Sequence, residues 1–163
     1  MIIYVNRLLW DSQGHAAYEL AESLGQIDYR GEKLSFNGPV SVTGCVEKDG
    51  DLFSVTGDIN ARVILACSRC LGSVIYPVKA TFKQEYPEPG TEEEKPAAYR
   101  GRIDLEEPVI ASILLELPIK VVCKEECRGL CPVCGLDRNI KECSCIQEET
   151  DPRMLKLKEL LEE

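Results

Sequence analysis

Histidine is almost missing from this chain, His15 being the only one in 163 residues. The commonest general base and the usual nitrogen ligand of zinc enzymes are therefore scarce, and no Walker loop, dinucleotide fingerprint, HExxH or GxSxG stands in for them. His15 lies in a polar turn with no triad suggested beside it and is expected on the surface. Apolar runs long enough to cross a membrane are lacking as well. The opening Met1-Ile-Ile-Tyr-Val-Asn-Arg has no charged region followed by an apolar stretch and a cleavage site. The expected setting is a reducing cytoplasm, and the length suits one ordinary domain with a small appended module.

What is plentiful is cysteine: nine residues, eight of them in the close pairs Cys67/Cys70, Cys123/Cys127, Cys131/Cys134 and Cys143/Cys145. In a reducing compartment such spacing favours metal thiolates over disulfides, and pairs two or three residues apart make strained rings when joined. The sharpest piece is Cys131-Pro-Val-Cys134-Gly, a turn that points two thiolates at one ion, followed closely by Cys143-Ser-Cys145. Structural zinc takes four such ligands, so eight suit two closed sites. One partition groups Cys131, Cys134, Cys143 and Cys145 locally and joins Cys67 and Cys70 to Cys123 and Cys127. Another combines Cys123 and Cys127 with Cys131 and Cys134, leaves Cys67 and Cys70 bare, and fits one ion. A thioredoxin-like CxxC opens a helix, whereas Cys67/Cys70 follows a strand. Cys45, alone on a strand, reads as a small packing residue. Closed thiolate sites are structural, so no catalytic residue is assigned and no enzyme is expected.

The net charge of −9 argues against a protein built to wrap nucleic acid. Its distribution qualifies that. From Ile59 to Gln84 the only charged residues are Arg62, Arg69, Lys79 and Lys83, and residues 119–141 hold five basic against three acidic. The acid lies elsewhere, with eight acidic residues from Glu85 to Glu107 and seven from Glu142 onward. Basic character thus coincides with cysteine pairs.

The expected architecture is α+β: an antiparallel β domain with one packed helix over 1–118, then a cysteine-rich, zinc-ribbon-like module over 119–163. Val40, Val42, Gly44 and Val46 alternate with polar residues, and Lys48-Asp49-Gly50-Asp51 reads as a hairpin turn. Phe53, Val55, Ile59, Ala61, Val63 and Leu65 then share one strand face, with Ser54, Thr56, Asp58, Asn60 and Arg62 on the other. A third strand alternates Val74, Tyr76, Val78, Ala80 and Phe82 against Ile75, Lys79, Thr81 and Lys83. The Cys67/Cys70 motif is then the tip of a hairpin whose solvated face is basic. Residues 87–102 read as an acidic Pro/Gly-rich loop. Val109, Ile110, Ile113, Leu114 and Leu117 recur with helical period between Asp104 or Glu107 and Pro118. Ala16 to Leu24 reads as a short helix, and Asp151-Pro152 opens a C-terminal one.

The ordered series Cys67-Ser-Arg-Cys70-Leu, Leu117-Pro118, Cys123-Lys-Glu-Glu-Cys127-Arg-Gly-Leu-Cys131-Pro-Val-Cys134-Gly-Leu-Asp-Arg-Asn139, Cys143-Ser-Cys145 and Asp151-Pro-Arg153 resembles the YceD family of bacterial and plastid large-ribosomal-RNA accumulation proteins. The similarity runs from about residue 34 to the end. It departs at Asp137-Arg138-Asn139, where the family often has leucine before the asparagine. The resemblance implies a non-enzymatic factor for accumulation or processing of the large-subunit (23S) ribosomal RNA precursor, with the Cys67/Cys70 turn as a central element.

The leading reading is a factor that binds this RNA or a pre-ribosomal particle, with Arg62, Arg69, Lys79, Lys83 and Arg128 on phosphate and zinc fixing their spacing. A reading from another class is an acidic adaptor for a basic ribosomal protein or a processing nuclease. A third is a thiol redox sensor, which oxidant would strip of zinc. Neither a membrane nor a small-molecule substrate is expected.

Overall fold

The computed structural model describes residues 1–29, 31–50, 52–87 and 101–145. In chain order these form β1 (Ile2–Tyr4), a 3-10 turn (Val5–Arg7), β2 (His15–Glu22), β3 (Ile27–Tyr29), β4 (Glu32–Phe36), β5 (Val40–Asp49), β6 (Leu52–Ala66), β7 (Ser73–Pro87), β8 (Arg102–Asp104) and α1 (Glu106–Leu115). The main sheet runs β2-β5-β6-β4-β3, with β7 along the other side of β6, and all pairings are antiparallel. β1 and β8 make a separate two-stranded ribbon. No helix among the described residues is long and apolar enough to cross a membrane.

β6 organises the whole. It pairs with β7 over its full length, from Leu52↔Pro87 to Ala66↔Ser73. On its opposite side it pairs first with β5 and then, at Val63 and Ile64, with β4. The alternation read from the sequence is realised: Phe53, Val55, Ile59, Ala61 and Val63 are buried, and Leu65 is half-buried. α1 packs across β7 and β6 on this face, burying Val109 and Ile113. Ile103 and Leu105 join the same core. The helix begins where the Asp104 carboxylate accepts the Glu106 amide at 3.0 Å, as an acidic start signal should.

One expectation fails. Ala16 to Leu24 is not a helix, because His15–Glu22 is strand β2, in register with β5 from His15↔Glu47 to Glu22↔Val40. Alanine, leucine and glutamate favour a helix in isolation. Here Ala16 and Tyr18 also obey a period of two, and the open edge of β5 supplies a full ladder of hydrogen bonds that overrides the local preference. Gly44 and Gly57, directly opposed, explain how the Tyr18 ring fits. A Cβ on Gly57 would meet the Tyr18 hydroxyl and the Phe82 ring at 2.6 Å, and that hydroxyl donates to the Thr56 carbonyl at 2.9 Å.

Among the described residues 119–145 there is no ribbon of strands, only one isolated bridge between Leu130 and Asp137. Most of the acidic loop (88–100) and the segment opened by Asp151-Pro152 lie outside the described residues.

Candidate metal centres and the basic sheet face

The β6–β7 hairpin ends in a tight turn, with the Cys67 amide donating to the Gly72 carbonyl at 2.8 Å and the Leu71 amide to the Cys67 carbonyl at 2.9 Å. Leu71 takes φ 60°, a left-handed conformation uncommon for a side chain of its size. The turn is gripped from outside by the segment after α1. Ser68 donates to Val121 O at 2.8 Å, the Val121 amide returns to Ser68 Oγ at 3.2 Å, and the Leu130 amide reaches Arg69 O at 2.9 Å. Gly129 is required at that last contact: it has φ +70°, and a Cβ there would lie 2.8 Å from Arg69 O.

This docking assembles a hairpin tetrad from Cys67, Cys70, Cys123 and Cys127, while Cys131, Cys134, Cys143 and Cys145 form a knuckle tetrad. In each set the sulfurs lie within 4.8 Å of one another. Sulfurs about 2.3 Å from a central zinc stand ~3.8 Å apart along the edges of a tetrahedron. The Cys67–Cys127 and Cys70–Cys123 separations are 3.9 and 3.7 Å, far beyond a disulfide bond. The thiols are thus grouped as the two-site partition groups them, and their geometry and donor chemistry fit zinc or a similar thiophilic ion.

Electrostatics points the same way. Amide donors from Arg69 and Cys70 pull the Cys67 thiol down to about 6, and those of Cys134 and Val133 do the same for Cys131. Sharing of protons with neighbouring thiols pushes Cys123 and Cys145 up to about 12, led by Cys127 and Cys134 respectively. Within each cluster some sulfurs are therefore prepared as thiolates, Cys67 and Cys127 in the hairpin tetrad and Cys131 in the knuckle, while others, Cys70, Cys123 and Cys145, resist ionisation. A bound cation is what allows all four to ionise together. Amide donors also steady the sulfurs: Cys123 N–H meets Cys67 Sγ at 3.4 Å, and Asn139 Nδ2 meets Cys127 Sγ at 3.4 Å.

The five cations singled out from the sequence fall into two groups. Arg69 donates from Nη1 to the carbonyls of Glu125 (3.0 Å) and Cys127 (2.9 Å), clipping the cysteine segment to the hairpin. Arg128 pairs with Glu142 at 2.9 Å. Arg62, Lys79 and Lys83 lie on the exposed face of β6 and β7, where Lys79 opposes Asn60 and Lys83 opposes Thr56. The acid-free run along the chain is not an acid-free surface, since Asp58 and, through β5, Glu19 share this face between the two lysines. Asp58 already stood on the same strand face as Arg62 in the sequence pattern, whereas sequence reasoning missed Ser68, Glu19 and Asn139. Only the register could have revealed them.

Cys45 is half-buried, joins neither tetrad and contacts Val46 O at 3.7 Å. His15 is less isolated than expected, with Nδ1 3.4 Å from Asp11 and Nε2 3.9 Å from Glu47, its partner across the β2–β5 ladder.

A sheet hairpin and a distant cysteine segment that complete each other's four-thiol cluster define a protein with two candidate thiolate metal centres. The family described as Large ribosomal RNA subunit accumulation protein YceD matches residues 55–161, and the chain belongs to that family. That span starts later than the similarity read from about residue 34. An uncharacterized protein of Mycobacterium tuberculosis (strain ATCC 25618 / H37Rv) is 37% identical over 123 residues, covering 71% of this chain and 59% of its own length. The uncharacterized protein YlbN of Bacillus subtilis (strain 168) is 27% identical over 130 residues, covering 77% of this chain and 76% of its own. A chloroplastic Large ribosomal RNA subunit accumulation protein YCED homolog 1 of Arabidopsis thaliana is 35% identical over 49 residues, 30% of this chain and 15% of its own length. The chain thus spans less than two thirds of the Mycobacterium tuberculosis and Mycobacterium bovis relatives it matches. No solved structure matches.

Proposed function

We propose that this chain is a non-enzymatic factor that binds the large-subunit ribosomal RNA precursor, or a particle containing it, and that zinc in the two tetrads is structural. The observation that carries this reading is the docked hairpin: β6 and β7 present Arg62, Lys79 and Lys83 on an exposed face while their tip is anchored in a four-thiol cluster. Ser41, Thr43, Thr56, Asn60 and Thr81, with Asp58 and Glu19 among them, fill that face between the cations, and no Phe, Tyr or Trp from β2, β5, β6 or β7 shares it. Such a surface suits phosphate and 2′-hydroxyl contacts with folded RNA, not stacking on splayed bases. Arg69 and Arg128 serve this reading indirectly, by holding the module that fixes the hairpin.

Reversal of Arg62, Lys79 and Lys83 to glutamate tests it. Crosslinking followed by sequencing of the bound RNA should lose large-subunit signal, and the salt slope of binding should flatten by about 2–3. Unchanged RNA recovery, with normal large-subunit particle profiles, would reject this face.

A second reading draws on a different surface. A groove of about 820 Å³ beside α1 is lined by Tyr86, Ile110 and Leu114 and by the carboxylates of Asp104, Glu106 and Glu107. Together with the net charge of −9, it suits an adaptor for a basic ribosomal protein or nuclease. Recovery of a basic protein without RNA in the same crosslinking experiment would favour this reading over the first.

A further inference from the structure

Asn139 stands in the knuckle loop, between Cys134 and Cys143, yet its side chain serves the other cluster. Nδ2 donates to Cys127 Sγ at 3.4 Å and to Asp137 Oδ1 at 2.7 Å, and Oδ1 accepts the Arg128 amide at 2.9 Å. The partners determine the orientation of the amide group, because a backbone N–H only donates and a carboxylate only accepts. Asp137 is itself built into the loop: its carboxylate takes the Asn139 amide at 2.8 Å, its carbonyl takes the amides of Ile140 and Lys141, and it bridges to Leu130. One side chain therefore ties the loop that carries two knuckle-tetrad sulfurs to a sulfur of the hairpin tetrad.

We propose that Asn139 couples the two tetrads, so that a metal ion in either one favours loading of the other. The proposal rests on the reading of both clusters as metal sites. An ion held by Cys131, Cys134, Cys143 and Cys145 fixes the loop from both ends and with it the position of Asn139. The amide N–H then stabilises negative charge on Cys127 and orients that sulfur, the kind of outer contact whose loss costs metal affinity about 10–100-fold. Coupling between binding sites is reciprocal, so loading of the hairpin tetrad orders the Asn139 loop for the knuckle tetrad by the same factor. The covalent route through Arg128-Gly129-Leu130 is a poorer conductor. That stretch is held to the hairpin tip by the Leu130–Arg69 backbone bond at 2.9 Å, a contact that involves no residue of the loop between Cys134 and Cys143.

The experiment is a double-mutant cycle on the full chain, kept reduced and titrated with cobalt(II). Thiolate-to-cobalt absorption follows site filling, and native mass spectrometry counts the ions. Emptying the knuckle tetrad with Cys143→Ser and Cys145→Ser should weaken cobalt binding at the hairpin tetrad by about tenfold. The same change in an Asn139→Ala background should have no further effect, and Asn139→Ala alone should shift the hairpin site's charge-transfer band. Should Asn139→Ala fail to fold, Asn139→Asp combined with Asp137→Asn keeps an oxygen for the Arg128 amide and lets the new amide at 137 donate to the new carboxylate, while the donor to Cys127 is lost; this pair is expected to abolish coupling equally. An equal penalty with and without Asn139, or an unmoved band, would overturn the proposal. A wild-type chain that binds neither cobalt nor zinc would instead sink the underlying metal reading, and ion counting separates that result from a simple lack of coupling.

Discussion

The sheet and the cysteine segment of this chain are stabilised by different means. In the sheet, Val40, Val42, Val46, Val55 and Val63 are 0% exposed and interlock with Phe53, Ile59 and the helix residues Val109 and Ile113. Across residues 119–145, by contrast, Val121, Cys127 and Cys131 are the buried apolar or sulfur side chains, while Ile119, Val122, Val133 and Ile140 face solvent. A segment that hides so little apolar surface does not hold its shape by burial. Its order comes from backbone bonds to the hairpin tip and from sulfurs arranged for a shared ion. The comparison teaches that hydrophobic patterning forecasts one region and fails in the other, because the second is organised by cross-links between residues distant in sequence.

The harshest way to break this contrast is to remove metal. A chelator under reducing conditions should take native mass from two bound ions to none and release hydrogen-exchange protection across 119–145, while β5, β6 and β7 stay protected. Structural zinc contributes about 10–16 kcal/mol in small zinc-finger peptides, so this is the largest effect expected. Equal deprotection of sheet and segment would erase the distinction. The converse perturbation is Ile59→Ala, at 1% exposure in the sheet core. It should cost about 2–5 kcal/mol in urea unfolding and leave two ions bound in the folded protein. Loss of metal at the same denaturant concentration as the sheet signal would mean that the regions unfold as one unit.

A smaller effect sharpens the boundary between them. Arg69→Ala removes both guanidinium bonds to Glu125 and Cys127 carbonyls, and should cost about 1–3 kcal/mol, read as faster exchange at 125–130. Arg69→Lys should recover less than half, since an ammonium lacks the planar fork. Smallest is an alkaline effect confined to the sheet. Burial, aided by the carboxylates of Asp104 and Glu107, pushes Tyr86 up to about 12, and its hydroxyl donates to Asp104 O at 3.0 Å. Because the folded value lies above the unfolded value of 10.0, this contribution is complete below pH 10 and lost as pH rises toward 12. Tyr86→Phe should flatten that limb of a thermal-stability profile against pH, and an unchanged limb would exclude Tyr86 as its source.

Strands β5, β6 and β7 and helix α1 were legible because their apolar residues repeat every two or every three to four positions, a signal contained within each element. β2 was not legible, since its alanines and leucine suit a helix until the edge of β5 is present to pair with it. The cysteine pairs were legible one by one through their spacing. Their grouping into tetrads left two partitions open, and the docking of residues 121–130 on the hairpin tip decided between the groupings. Arg69 looked like a surface cation, and it proved to be a clip because two carbonyls converge on its guanidinium only after that docking.

Local periodicity and spacing, then, are enough to specify a long antiparallel hairpin, one helix and four thiol pairs, since both depend on the geometry of a few neighbouring residues. Which thiols share a cluster, which cations remain on the open sheet face, where Glu19 intrudes among them, and how Asn139 bridges from one cluster to the other were decided by tertiary structure alone. Those relations join residues far apart along the chain, Cys67 and Cys127 by 60 positions, and the register of strands and the docking of a segment set them, not any pattern along the chain.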